Sequence, residues 1–191
     1  MRKQSWFLVL GLIVVVGSLI QVTNTVHASK AYNSVSEYKS IERSIDGIEQ
    51  YKAKVKENLR RLEKEKVNNI AATITFEKPL SFEELQTYVK KHQITPRQIQ
   101  CRALDGNDRL TIAVKQQKNM HEIVQKQIES ATFIGYIDMY AILDSKQIPE
   151  LETDPLTFLV DTSGDSYFTG SDKEFPHALS WLLEDLKYNK K

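Results

Sequence analysis

The sequence predicts an α+β fold: a long N-terminal amphipathic helix, a ferredoxin-like split βαβ sheet domain, and a C-terminal strand-turn-helix extension. Three observations carry this. Apolar residues recur at steps of three and four from Val35 to Leu62, with one skip at Lys52, the period of one helix face. Ala71–Phe76, Arg97–Leu104, Leu110–Val114 and Phe133–Leu143 read as strands, rich in β-branched, aromatic or alternating apolar residues. Helical patterns fall after the first and third of these, which gives the order β-α-β-β-α-β, an antiparallel sheet with two helices on one face.

Residues 1–28 read as a signal peptide or membrane anchor. A basic cap, Met1-Arg2-Lys3, precedes the apolar run Trp6–Ile20, and Val26-His27-Ala28 offers a small-residue cleavage site. If the segment is kept, its contact with a membrane is confined to residues 6–26. The strictly apolar run is 15 residues, against roughly 20 for a spanning helix. In either case Arg2 and Lys3 stay inside and the rest of the chain faces outward.

Residues 29–67 form the long amphipathic segment, with a helix from Val35 to Val67. Its stripe is Val35, Tyr38, Ile41, Ile45, Ile48, Val55, Leu59 and Leu62. A heptad-like stripe can form a coiled-coil dimer or stalk, and it can equally pack on its own domain. Lys52 and Lys66 fall on the seam and weaken a tight dimer.

Residues 68–147 form the sheet domain. Pro79 closes the first strand. Ser81-Phe82-Glu83-Glu84 is a capping box that opens a helix with Phe82, Leu85, Val89 and His92 on one face. Pro96 leads into the second strand. Asp105-Gly106-Asn107-Asp108 is a hairpin turn. A helix near Asn119–Ser130 turns Met120, Ile123, Val124, Gln127 and Ile128 inward.

Residues 148–191 read as a polar linker through Pro149 and Pro155, a strand Thr157–Asp161 and a turn at Thr162–Asp165. A short return strand at Tyr167–Thr169 and a helix Pro176–Tyr188 follow, and the extension packs on the main domain. Leu179, Trp181, Leu182, Leu183 and Leu186 make that helix apolar.

Composition narrows the function. The formal charge is +1; removal of Arg2 and Lys3 with residues 1–28 takes it to −1, which argues against nucleic acid as a partner. Cys101 is the only cysteine, so no intramolecular disulfide forms and the fold rests on its core. Its alternation with Ile99 and Ala103 predicts a buried, inert thiol.

The motifs for chemistry are incomplete. His121-Glu122-Ile123-Val124-Gln125 lacks the second histidine of a zinc-protease helix. His92 and His177 have no ligand-spaced neighbours. Asp161, Asp165 and Asp172 surround a Gly-Ser-Thr turn without the EF-hand order, so they read as Asx-turn residues. Ser163 and His177 have no nucleophile elbow or orienting acid. Tyr167, Phe168, Phe175 and Trp181 are aromatics near loops, suited to packing a C-terminal lobe or anchoring a partner.

No catalytic, cofactor-binding or metal-binding residue is therefore assigned. The element order resembles propeptide-type protease inhibitors and envelope-assembly scaffolds in order alone. The function these features predict is a non-enzymatic, extracytoplasmic protein-interaction module of a bacterial cell envelope, secreted after Ala28 or anchored. Its partner is a protein, with a homodimer through the long helix as one form. The alternatives are a propeptide-like inhibitor or chaperone domain, and a small-molecule binder or hydrolase with a non-obvious site.

Overall fold

The computed structural model describes residues 41, 44–114, 119–170 and 178–187. The elements are α1 (Ile45–Glu65), β1 (Ile70–Leu80), α2 (Phe82–Lys91), β2 (Pro96–Asp105), β3 (Asp108–Val114), α3 (Met120–Gln127) and β4 (Ala131–Leu143). A 3-10 turn (Ser145–Gln147), α4 (Ile148–Thr153), β5 (Thr157–Asp161), α5 (Ser166–Thr169) and α6 (Ser180–Lys187) follow. The strands form one five-stranded sheet in the order β3-β2-β4-β1-β5, antiparallel at every pairing. The fold is α+β. Residues 1–40, with the expected signal or anchor segment and the expected first turns of the long helix, lie outside the described residues; the described helix begins at Ile45 after Ser44 in extended backbone, so the helix expected to run unbroken from Val35 is interrupted there. Among the described residues no helix is long and apolar enough to cross a membrane.

Local sequence explains most boundaries. Ser44 caps α1 by accepting from the Gly47 amide at 3.0 Å, and Lys66 ends it in the left-handed conformation. The α2 capping box forms as expected: Glu84 N–H donates to Ser81 Oγ at 3.1 Å, and Ser81 N–H donates to Glu84 Oε2 at 2.8 Å. The β2–β3 hairpin turns on two residues, Gly106 and Asn107, between the paired Asp105 and Asp108. Gly106 takes φ +59°, the first-position glycine of a type II′ turn.

From Ile48 onward the α1 stripe is consumed within the domain; Ile45 stays exposed. Ile48, Tyr51, Val55, Leu59 and Leu62 are all buried in the single core. Tyr51 donates to Asp161 Oδ2 at 2.6 Å, which ties the middle of α1 to the end of β5.

Four further details differ from the sequence expectation. β1 runs through Pro79 to Leu80; its registers with β4 and β5 become irregular after Thr75, which is where a strand tolerates proline. Residues 148–153 are helical, because Pro149 suits a first helical turn and Ile148 and Leu151 bury one face. Residues 166–169 form a helical turn instead of a return strand, because Asp165 accepts from the Tyr167 amide at 2.7 Å and acts as an N-cap. The last helix begins at Ser180 rather than Pro176; Pro176 and residues after Lys187 lie outside the described residues.

Helices outside the β-α-β-β-α-β unit lie on the face of the sheet opposite α2. Strand pairing puts Thr73, Thr75, Asp138, Asp161 and Arg102 on one face. That face receives α6, through Ser180 Oγ to Asp138 Oδ2 at 3.0 Å and Leu179 N–H to Thr75 Oγ1 at 3.3 Å. It also receives α1 through Tyr51. The opposite face carries Ile74, Phe76 and Met139 and receives α2, where Tyr88 meets Phe76 edge-on at 5.3 Å. The polar side chains on the first face explain where α1 and α6 dock: they need donors and acceptors, and these helices bring them.

Candidate functional site

Three polar constellations arise from this fold, and two are spent on holding it together. In the first, Asp161 Oδ1 accepts from Ser163 N–H at 2.8 Å while Oδ2 takes Tyr51. Asp165 accepts from Ala71 N–H at 2.6 Å and from Tyr167 N–H, and Asn58 donates to Ser163 Oγ at 3.3 Å. The carboxylates form Asx turns, and their free oxygens fasten the loop to α1 and β1. Asp172, Phe175 and His177 lie outside the described residues. Among the described residues no three acidic, histidine or cysteine side chains gather as metal ligands.

The second constellation escaped the sequence reading. His92, at the end of α2, has a side chain only 1% exposed, and its Nε2 lies 2.8 Å from Asp154 Oδ2. Lys91 donates to the same oxygen at 2.7 Å. Burial pushes the Asp154 carboxyl up, but Lys91, the Leu156 amide and His92 outweigh it and hold it at about 2. His92 Nδ1 makes no hydrogen bond; Glu150 Oε1 stands 3.7 Å away. The group borders an open cleft lined by Lys91, Gln93, Asp144, Lys146, Gln147 and Glu150. The sequence held no signal for this pair, because His92 and Asp154 are 62 residues apart.

The third lies beside a free edge of the sheet. β5 is one edge, and its residues 158–161 are buried. β3 is the other, and among the described residues it pairs with β2 alone. Because Asp105 and Asp108 close a two-residue turn, they exchange the first hydrogen bonds. The antiparallel alternation then turns Leu110, Ile112 and Val114 toward β2. Arg109, Thr111 and Ala113 therefore direct their N–H and C=O groups away from the sheet. Thr111 and Ala113 are exposed.

On the face above this edge, both Arg102 and Arg109 lie over the Trp181 ring, at 4.3 and 4.7 Å from its centre. Glu184 bridges the two guanidinium groups at 2.9 and 3.3 Å, and Asp185 pairs with Arg109. Arg102 Nη1 donates to Thr111 Oγ1. Trp181 nevertheless remains 42% exposed. The sequence reading had noted Trp181 but not the arginines, which the β2–β3 pairing brings beneath it. Phe168 of the same aromatic group is buried, and Tyr167 packs edge-on against it while donating to Glu65.

The remaining sequence candidates are placed as follows. Cys101 is buried, its thiol donates to Ile112 C=O at 3.4 Å, and burial pushes its pKa up to about 11. A thiol so held is a poor nucleophile. Glu122 and Gln125 lie on α3 and are exposed; the His121 side chain lies outside the described set.

No family model matches the chain, and no curated protein or solved structure matches it significantly.

Proposed function

We propose that the chain is an extracytoplasmic, non-enzymatic protein-interaction module of a bacterial cell envelope, and that β3 is the strand through which it binds. The observation that carries this is the β3 edge, which pairs with β2 alone among the described residues and whose outward backbone groups on Arg109, Thr111 and Ala113 can add a strand. Trp181 and Arg109 beside it are residue types that anchor interfaces. Placement outside the cytoplasm rests on the basic cap and apolar run of residues 1–28, cleaved after Ala28 or kept as an anchor.

Dimerisation through the long helix would have to use the part of the stripe before Ile48, where Ile45 is exposed, because the stripe from Ile48 to Leu62 is buried in the domain. The ferredoxin-like reading rests on the element order and on β4 lying between β1 and β2 as a split βαβ unit. A sheet with β2 and β4 as its central pair and β5 added supports reading it as a variant of that plan.

The test is a photo-reactive amino acid at Ala113 in intact host cells, with Gln86 on the exposed side of α2 as control. A discrete adduct at 113 and none at 86 is expected. Equal or no adducts at the two positions would contradict the reading. The same edge also fits a propeptide-like inhibitor, since proteases hold substrates as extended strands. Slowed turnover of an exported protease by the purified chain would favour that alternative.

A further inference from the structure

The β3 edge lacks the usual guards against strand pairing. Asp108–Val114 contains no proline and no lysine, and its register with β2 is regular throughout. Charges, prolines and bulges are the devices that keep an edge from pairing. Arg109 is the one charge in the strand beyond its first residue, and α6 holds it through Glu184 and Asp185. Leu110, Ile112 and Val114 are left only half-buried.

We infer that the strand β3 receives is β3 of a second copy of this chain, antiparallel and centred on Thr111. This rests on the reading of β3 as the binding edge and names its occupant. Three features select this occupant and register. First, Thr111 is the midpoint of β3, so the whole strand is paired: Asp108 with Val114, Arg109 with Ala113, and Leu110 with Ile112 of the other copy. Second, every outward-directed residue meets another outward-directed residue, Thr111 with Thr111 and Arg109 with Ala113. All outward N–H and C=O groups of the strand then find partners. Third, no like charges are opposed.

On the apolar face, Leu110 of each copy would sit opposite Ile112 of the other. Such apolar cross-strand pairs are favourable, and they complete the cover of side chains that one copy leaves half-buried. The two sheets become one continuous sheet, with the two-fold axis passing between the Thr111 residues.

Cysteine cross-linking of the full chain in its host tests the register. Directly opposed residues have Cβ atoms roughly 5 Å apart, close enough for a disulfide after small adjustment. Cys101 is buried and stays in place as an internal control. Under mild oxidation Thr111→Cys is expected to double its mass on a non-reducing gel. Arg109→Cys and Ala113→Cys are expected to stay single when each is expressed alone, and to cross-link when co-expressed.

The co-expressed pair keeps the test valid if Thr111→Cys folds poorly. Single bands for Thr111→Cys and for the co-expressed pair would overturn the inference. Indiscriminate cross-linking of all three single variants would overturn it too. If the variants stay single while Ala113 photo-cross-links to another protein, self-pairing fails but the edge reading stands. If position 113 yields no adduct of any kind, the edge reading itself fails.

Discussion

The Tyr51 hydroxyl donates to Asp161 Oδ2 at 2.6 Å across 110 residues of sequence. Both residues are buried, so the bond joins α1 to the sheet where water cannot replace it. Tyr51→Phe removes one donor from the buried Asp161 carboxylate. A loss of about 1–3 kcal/mol in folding free energy is expected. Urea unfolding of the chain freed of residues 1–28 measures it, and an unchanged midpoint would mean that α1 is fastened by packing alone.

Gly135→Ala tests the crossing of β1 over β4. A Cβ at Gly135 would lie 2.8 Å from the Leu80 carbonyl oxygen and 2.9 Å from Pro79 Cβ. Its φ of +155° also disfavours a side chain. The backbone must shift, at a cost of roughly 1–3 kcal/mol. A smaller effect in thermal or urea unfolding would show that the end of β1 yields easily.

Asp138 makes the docking of α6 sensitive to pH. Burial raises its pKa from 3.8 to about 7, against the lowering effects of Ser180 and Arg102. A raised native value means that the folded state prefers the protonated acid. Its stabilisation is complete below the unfolded value and is lost as pH rises from about 3.8 to about 7. Asp138→Asn is expected to flatten the fall in stability over that window. The comparison is unfolding midpoint against pH, and parallel curves for variant and wild type would sink the assignment.

Asp154 acts in the opposite direction. Its native value of about 2 lies below the ordinary 3.8, so its contribution is present above 3.8 and is lost as pH falls through 2. Part of the effect comes through Lys91, whose side chain is 51% exposed and therefore screened. Asp154→Asn is expected to cost on the order of 1–2 kcal/mol at neutral pH and to reduce the acid sensitivity below pH 3.8. Urea unfolding at pH 7 and at acid pH reads both effects; equal losses at the two would contradict them.

What the sequence made legible was local. The capping box of Ser81 and Glu84, the Gly106–Asn107 hairpin and the helix faces depend on neighbours three or four residues away. What stayed hidden depends on distant pairing. Nothing near His92 announces Asp154, and nothing near Trp181 announces Arg102 and Arg109. The placement of α6 opposite α2 follows from polar side chains on one sheet face, which show only once register is known. Proline misled twice, at Pro79 and Pro149, because it is tolerated at strand irregularities and in first helical turns as well as in linkers. The β3 edge was hidden for the same reason as the clusters: which strand ends a sheet is a property of the strand order.

Thr111→Pro is the most direct test of β3 as a binding strand. Proline there removes an outward N–H while leaving the bonds to β2 intact. The account predicts that the variant folds and loses the adduct formed by a photo-reactive residue at Ala113 in intact cells. A folded Thr111→Pro chain that still forms the same adduct in the same yield would contradict it.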